Sequence, residues 1–569
     1  MGKRSARREE ARRKLNMIKV TFVLVIISIT VFCIWFGLMN NDTDKLDKEI
    51  AKEDIENIYE NEIVIEEMKD KTVEEVVTEF GGSIIEKVKP DTCYVSKGEK
   101  EYTVYSDGEI QEGRAAIWDG SSTEPQVNED GSIDIILPSE LKWVADKVIS
   151  GEKNFAGITI TLKESLDLGA RKTENGWEGP NWTSIVGYLD ELPEQEENQN
   201  KVVDDSIVVD DTMDVVQENL KRFAGTFNAN GKIIRGMKIE SDKSYQGLFG
   251  YLSGNIYSLT IKNSYVKGNS SVGIIAGYNT GHISNCKIVN SEVEGNSKVG
   301  LIAGASMTGS TIAASSVEGK NSISKGEEYI GGILGYANNN VNLENLVFEG
   351  QVEGNKHIGG IAGICFYGTT LNSMTNLGKV VGEENVGGLV GYSQGQIEKS
   401  YSGKIGSIQG NKNVGGLVGL NHTMGDINNS YNESLVVGKE DNIGGIVGIN
   451  SSNVSNVYNT GKIDATSAGM KTGGLCGQNS SESYIKSSYN TGIIDFNESA
   501  EGIVGVDFGN TSNSYYLDTS LDNPAADKTY SKTNDEMKAM IVKDLGELFT
   551  IDSNNFNNGY PILTWTNLK

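Results

Sequence analysis

The segments Val386-Gly387-Gly388-Leu389-Val390-Gly391 and Val414-Gly415-Gly416-Leu417-Val418-Gly419 are the same hexamer, VGGLVG, 28 residues apart. Variants of this hexamer occur ten times from residue 246 onward, and successive closing glycines are 27 to 31 residues apart. The closing glycines are Gly250, Gly277, Gly304, Gly335, Gly363, Gly391, Gly419, Gly448, Gly477 and Gly505. So constant a period indicates a solenoid, in which each repeat buries its apolar side against the next repeat.

Within each repeat the apolar element is about five residues long, which is too short for a helix. The glycines around it permit a positive φ or a close approach of two backbones. A second stretch then begins with Ile or Val, and turns such as Tyr458-Asn459-Thr460-Gly461 follow, in which Asn and Gly suit left-handed conformations. We therefore expect an all-β fold, a parallel β-helix of about ten 28-residue repeats, each forming one coil.

The VGGLVG core, its spacing and the NNSYN or SSYNTG segments that follow resemble the GLUG repeat of bacterial surface proteins, including adhesins and the non-catalytic part of immunoglobulin-A peptidases. The resemblance covers roughly residues 246–510. It implies a surface protein with a β-solenoid. Because one fold serves many functions, it does not by itself assign an activity.

The N-terminus carries a membrane signal. Residues 18–39 form an apolar run in which Lys19 is the only charge, long enough to cross a bilayer as a helix. Residues 1–17 hold seven basic side chains, which predicts a cytoplasmic N-terminus. The alternative is a cleaved signal peptide, but the run is longer than is usual and lacks a small-x-small cleavage site. We expect a single-pass protein of the cell membrane, with the rest of the chain outside the cell.

Composition and hydropathy divide the rest of the chain. The insert 190–211 is strongly acidic and is expected to loop out. An apolar stripe predicts a capping helix over 138–149, with Ser139 as N-cap, and Thr533 is expected to cap a C-terminal helix. The predicted segments are a helical or flexible stalk (40–90), an acidic connector (91–135), an N-terminal cap with the first coils (136–245), the repeats (246–510) and a C-terminal cap (511–569).

The repeats contain few side chains that could form a catalytic site. The three histidines, His282, His357 and His422, occupy different points of their repeats, so they encode no metal face and are expected to be isolated surface or turn residues. No arginine follows Arg235, and the acidic candidates for hydrolysis, which stand singly in turn-like segments, are Asp426, Asp464 and Asp495. We expect no catalytic site, no metal and no cofactor. Cysteines 286, 365 and 476 are expected to be small core residues.

One periodic feature is a candidate ligand-binding site. Tyrosines recur at nearly the repeat spacing and are expected to stack into a ladder: Tyr401, Tyr431, Tyr458, Tyr489 and Tyr515. Aromatic ladders hold sugars, and we single out the first four as ligand-binding candidates. The alternative, which we favour, is that the rings are buried and only their hydroxyls reach polar partners.

The preferred function is surface display, adhesion or ligand binding by a non-catalytic, membrane-anchored solenoid. Expected partners are the membrane and a cell-wall or host glycan or protein. Nucleic acid is not expected, because residues 18–569 carry 76 acidic and 44 basic side chains. The alternatives are a cell-wall polysaccharide-active β-helix enzyme and a spacer without a ligand.

Overall fold

The computed structural model describes residues 71–185, 221–465, 471–496, 499–523, 526–540 and 542–568. The predicted basic tail, the membrane helix over 18–39, the stalk up to residue 70 and the acidic insert 190–211 lie outside the described residues. Within the described ranges no helix is long and apolar enough to span a membrane. The chain forms two compact units, Met1–Arg114 and Ala115–Lys569.

The described part of the first unit, from residue 71 onward, is a short helix packed on an antiparallel sheet. Helix α1 (Val73–Phe80) begins with a capping box between Thr72 and Glu75 and ends at Gly81, whose φ is 76°. The strands pair in chain order: Ser83–Lys89, Thr92–Lys97, Lys100–Tyr105 and Ile110–Glu112. The buried core between helix and sheet consists of Val73, Val76, Val77, Cys93, Val95 and Val104.

This arrangement differs from the predicted division at residue 90. The strands Ser83–Lys89 and Thr92–Lys97 pair directly across that position. They belong to one sheet because Cys93 and Val95 are covered by α1, so the helix and both strands share one core. The segment that the sequence divided between a stalk and a connector is, over residues 73–112, a small α/β unit.

In the second unit the chain follows a path of short parallel strands that recurs every 27 to 31 residues. Each coil visits four sheets in turn, which we call A, B, C and D. The coil that starts at Thr370–Asn376 in sheet A continues through Lys379–Val381 in B, Glu384–Gly387 in C and Val390–Ser393 in D. The repeat therefore forms one coil, as predicted, but it contributes four or five strand segments, because sheet A takes one or two from each coil.

Within the described residues the four sheets have the following strands. Sheet A contains Ile133–Ile135, Thr159–Leu162, Leu166–Asp167, Thr226–Asn228, Ile233–Arg235, Asn255–Tyr257, Thr260–Lys262, His282–Ser284, Lys287–Val289, Thr311–Glu318, Asn342–Phe348, Thr370–Asn376, Gln396–Glu398, Tyr401–Ser402, Asp426–Asn432, Asn453–Asn459, Tyr484–Lys486, Tyr489–Asn490, Asn510–Ser512, Tyr515–Leu517 and Ser531–Lys532. Sheet B contains Lys238–Glu240, Tyr265–Lys267, Glu292–Glu294, Ile323–Lys325, Gln351–Glu353, Lys379–Val381, Ser407–Gly410, Leu435–Gly438, Ile463–Ala465 and Ile494–Phe496. Sheet C contains Ser270–Val272, Ser297–Gly300, Glu328–Gly331, Lys356–Gly359, Glu384–Gly387, Lys412–Gly415, Ile443–Gly444 and Thr472–Gly473. Sheet D contains Phe249–Leu252, Ala276–Asn279, Ala303–Ser306, Leu334–Ala337, Ala362–Cys365, Val390–Ser393, Val418–Asn421, Val447–Asn450, Cys476–Asn479 and Val504–Asp507.

The hexamer forms the corner between sheets C and D. In VGGLVG the valines and the leucine point into the core, and Val390 and Val418 are both fully buried. The closing glycine is required for a close approach of two backbones. A Cβ on Gly391 would lie 2.4 Å from the carbonyl carbon of His357, one coil earlier.

The left-handed conformation falls on different residues from those the sequence suggested. The residue before the hexamer has a positive φ in successive coils, for example 55° at Asn385 and 56° at Asn413. In contrast, Asn459 is the last residue of a strand and is buried. Asn459 is therefore part of a strand and not of the left-handed turn that the Asn-Thr-Gly pattern predicted. Its side chain is hydrogen-bonded to partners inside the solenoid.

Those partners form buried asparagine ladders along the solenoid axis. In sheet A the ladder is Asn432, Asn459 and Asn490, with Nδ2-to-Oδ1 distances of 2.8 Å at both steps. In sheet D it is Asn421, Asn450, Asn479 and Asp507, with distances of 2.8 to 2.9 Å. Each amide satisfies the next, so polar side chains are accommodated inside an otherwise apolar core.

Both ends of the solenoid core are closed. At the N-terminal end helix α2 (Pro138–Ser150) buries the predicted stripe of Leu141, Val144, Ala145 and Val148. Its N-cap is Leu137 rather than Ser139, since Pro138 occupies the first turn. At the C-terminal end Tyr516 is the register partner of Asn490 and occupies the position that asparagine holds in the preceding coils. Its buried ring ends the ladder.

Two short elements complete the second unit. Arg171–Thr173 and Gly176–Glu178 form a hairpin. The C-terminal segment, residues 533–568, contains helices α3 (Asn534–Ala539) and α4 (Val542–Leu545), the strands Phe549–Thr550 and Ile562–Leu563 and a final 3₁₀ turn (Thr564–Leu568). Thr533 caps α3 through a capping box with Glu536, as predicted.

Candidate functional site

The predicted tyrosine ladder is present on the outer face of sheet A. The rings of Tyr401, Tyr431, Tyr458 and Tyr489 stack in order, with centroid distances of 4.9, 4.8 and 5.2 Å and interplanar angles of 12° or less. They stack because parallel strands place the same register position directly above its counterpart in the next coil. Tyr515 continues the register, and its ring instead lies below Lys532 Nζ at 4.5 Å.

The C-terminal segment lies on this ladder. Tyr458 is 3% exposed and Tyr489 is fully buried, in one cluster with apolar side chains of that segment. These side chains are Met537, Met540, Leu545, Phe549, Leu563 and Trp565. The segment that the sequence assigned to an end cap therefore lies along the flank of the last coils, because the tyrosine rings offer it an apolar surface.

Polar contacts fix the segment at both ends of the ladder. The Tyr489 hydroxyl donates to the carbonyl of Pro561 and accepts from Asn557 Nδ2 at 2.7 Å. Trp565 Nε1 donates to the carbonyl of Asn429 at 3.0 Å, and its ring lies 5.8 Å from that of Tyr431. Burial raises the pKa of Tyr458 and Tyr489 well above the usual value, so both phenols stay neutral.

The histidines differ from one another more than the sequence suggested. His282 is exposed, whereas His357 is only 5% exposed and is not the surface or turn residue that was predicted. Burial lowers the pKa of His357 to about 3, assisted by nearby Lys356. Its Nδ1 lies 3.2 Å from Asn385 Nδ2, at the end of a buried chain of amides through Asn413 and Asn442.

The acidic candidates separate into two places. Asp464 and Asp495 occupy the same register position of adjacent coils in sheet B, so the structure makes them neighbours although the sequence placed each singly. Asp495 is paired with Lys462 at 2.8 Å. Asp426 begins a strand of sheet A instead, and burial, with Glu398 nearby, raises its pKa.

The cysteines are core residues, as predicted. Cys286, Cys365 and Cys476 are buried and unpaired, and burial raises the pKa of the Cys286 thiol to about 12. In the part of the chain that the structure describes, no three side chains of the metal-binding types come together.

Sequence reasoning missed a second aromatic array, which lies at the corner between sheets C and D. We call it the corner strip, and it consists of Tyr329, Tyr336, His357, Phe366, Tyr392 and His422. Tyr329 and His357 are the left-handed residues before their hexamers, and Tyr336 and Tyr392 directly follow a closing glycine. The other two members, Phe366 and His422, stand three residues after a closing glycine. The signal was present in the sequence as tyrosine directly after that glycine, as in Gly335-Tyr336 and Gly391-Tyr392.

The rings of the corner strip are in continuous contact over four coils. Tyr329 stacks on His357 with centroids 5.4 Å apart, and His357 meets the edge of Tyr392 at 5.5 Å. Tyr392 in turn stacks on His422 at 5.3 Å. Tyr336 and Phe366, 5.3 Å apart, fill the adjoining row. Tyr329, Tyr336 and His422 are partly exposed, and the other three form the floor.

These features define a parallel β-solenoid protein with two aromatic flanks, one covered by its own C-terminal segment. No family model and no curated protein matches the chain, so the resemblance of its repeats to GLUG repeats stays a prediction from sequence. One solved structure that it matches is a protein named as a "putative immunoglobulin A1 protease" from Bacteroides ovatus. The match is 17% identical, covers 78% of this chain and 95% of that chain, and has a TM-score of 0.29, too low to bear on fold or activity.

Proposed function

We propose that this chain is a membrane-anchored scaffold that holds a non-catalytic β-solenoid outside the cell for surface display, adhesion or ligand binding. The observation that carries the proposal is the closed interior of the solenoid. Aliphatic columns and asparagine ladders fill the core of successive coils, and side chains at both ends close it. The flanks are then the surfaces on which a partner can act, since they repeat the same positions coil after coil.

The anchor rests on sequence. The basic residues 1–17 and the apolar run 18–39 are the pattern of a signal anchor with the N-terminus in the cytoplasm. The acidic balance of the remaining chain suits a soluble extracytoplasmic domain and disfavours nucleic acid as a partner.

Cell fractionation with surface proteolysis tests this function. The full chain is expected to sediment with membranes, and protease added to intact cells is expected to remove the solenoid. Leu24→Asp combined with Ile27→Asp should release the protein from membranes, because each charge at the helix centre costs about 3 kcal/mol. Leu24→Ile is the matched control and should stay in the membrane fraction. Solenoid protected from protease in intact cells would contradict the proposal.

One observation favours the alternative of a polysaccharide-active enzyme, namely the neighbouring carboxylates of Asp464 and Asp495. The full chain, incubated with peptidoglycan and pectin-type polymers with and without calcium, is expected to release no reducing ends or unsaturated sugars. Turnover that Asp464→Asn or Asp495→Asn abolishes, and that the control Asp441→Asn does not, would establish the enzyme instead.

A further inference from the structure

We propose that the corner strip is a binding site for a neutral carbohydrate chain. The proposal rests on the proposed function, because it names the ligand class of a displayed solenoid. It concerns a different surface from the tyrosine ladder, whose rings Tyr458 and Tyr489 are buried under the C-terminal segment.

The geometry of the strip suits a linear polymer. Its rings follow the solenoid axis from Tyr329 to His422, across four coils. Because coils are about 4.8 Å apart, the strip extends for about 14 Å, long enough for a short oligosaccharide. The apolar C–H faces of sugar rings pack on aromatic side chains of this kind, while their hydroxyls bond to polar side chains beside the rings.

The charge of the strip selects an uncharged ligand. The charged side chains that adjoin the strip are of both signs, since Glu328 is hydrogen-bonded to its first tyrosine and Lys356 lies near His357. His357 is neutral at pH 7, because burial holds its pKa at about 3. A further cation is Lys298, whose Nζ lies 4.6 Å from the centroid of the Tyr336 ring. A polyanion or polycation would meet no complementary row of charges there.

Amide groups beside the rings supply hydrogen-bonding atoms. Gln394 Nε2 lies 3.3 Å from both the Tyr392 hydroxyl and His422 Nδ1. Asn338 Oδ1, two residues beyond Tyr336, is shielded from solvent and has no hydrogen-bond partner.

Calorimetric titration of the full chain in detergent with neutral linear hexasaccharides of glucose, xylose and N-acetylglucosamine tests the site. At least one is expected to bind, and Tyr336→Ala and His422→Ala should each weaken that binding about tenfold. Tyr484→Ala is the matched control, since Tyr484 is 45% exposed on sheet A, and it should leave the affinity unchanged. Affinity should also be the same at low and high salt.

His422→Ala removes a partly exposed ring of the strip and keeps the test valid if Tyr336→Ala fails to fold. Absence of binding to every neutral hexasaccharide would overturn the proposal. So would equal losses in His422→Ala and Tyr484→Ala, or binding that high salt abolishes. None of these results changes where surface proteolysis places the solenoid, so failure of this site and failure of the proposed function are distinguishable.

Discussion

Asn432 donates a hydrogen bond from Nδ2 to Oδ1 of Asn459 at 2.8 Å inside the solenoid, where both side chains are fully buried. Asn459 Nδ2 in turn donates to Asn490 Oδ1, also at 2.8 Å, and to the carbonyl of Gly461 at 2.9 Å. Each asparagine is thus both a donor and an acceptor for its neighbours, so the loss of one affects two others.

We therefore expect Asn459→Ala to lower the free energy of unfolding by about 2–4 kcal/mol, because it leaves the Asn432 amide and Asn490 Oδ1 without their partner. Asn355→Ala, at an exposed position of a corner turn, is the control and should change stability by less than about 0.5 kcal/mol. Urea unfolding of both variants is the measurement. Equal effects would show that the ladder adds nothing.

Ser324 is a buried polar side chain in a column of aliphatic residues. It pairs in register with Val293 and Val352, and its hydroxyl has no hydrogen-bond partner. Ser324→Val should raise the free energy of unfolding by about 1 kcal/mol, since it removes an unsatisfied group and adds apolar burial.

The control for this substitution is Ser315→Val. Ser315 is equally buried, but its hydroxyl donates to the carbonyl of Ala313 at 2.7 Å and accepts from the backbone of Cys286 at 3.0 Å. This change should therefore be destabilising. Thermal unfolding of the two variants should shift in opposite directions, and a destabilised Ser324→Val would contradict the register assigned to sheet B.

The buried His357 is expected to make the free energy of unfolding depend on pH. Its pKa is about 3 in the folded protein and near 6.5 in an unfolded chain, so between these values the unfolded state binds more protons. Stability contributed by the neutral side chain is complete above pH 6.5 and is lost as the pH falls towards 3.

His357→Asn should reduce this loss, because asparagine does not titrate and keeps an acceptor for Asn385 Nδ2. In the next coil Asn385 Oδ1 accepts from Asn413 Nδ2 in the same way. Asparagine also tolerates the φ of 59° at this position. Unfolding free energies measured across the window should depend less steeply on pH than in the unaltered chain. His282→Asn, at an exposed site, should keep the original slope.

Tyr489 connects the ladder to the C-terminal segment through its hydroxyl. Tyr489→Phe keeps the stacked ring but removes the bonds to Asn557 and Pro561, so we expect faster amide hydrogen exchange over residues 533–568 with little change in the repeats. Tyr458→Phe is the control, since its ring stacks at nearly the same distances. Identical exchange in both variants would show that the hydroxyl does not hold the segment.

Much of the fold was predictable because the pattern of each repeat can be read from a short stretch of sequence. The period of the closing glycines predicted one coil per repeat, and the apolar positions predicted the burial of Val390 and Val418. The number of strands per coil was not predictable, because it depends on where the chain bends. At Gly391 the bend is set by a contact with the backbone of His357, 34 residues earlier.

The candidate site was predicted in part. The even spacing of Tyr401, Tyr431, Tyr458 and Tyr489 was enough to expect a stack, since equal spacing in a solenoid means equal register. The corner strip was missed because its rings come from three different positions of the repeat. They meet only where the chain turns at the hexamer.

The sequence by itself determined the solenoid, its period and the side chains that face the core, because each coil copies the hydrogen bonding and burial of the one before it. Only the tertiary structure decided which aromatic flank is open. Trp565 reaches the carbonyl of Asn429 over a separation of 136 residues, and no local pattern encodes a contact between a unique terminal segment and a repeated surface. That contact buries the tyrosine ladder, while the corner strip, formed by side chains that converge at a bend, keeps three of its rings partly exposed.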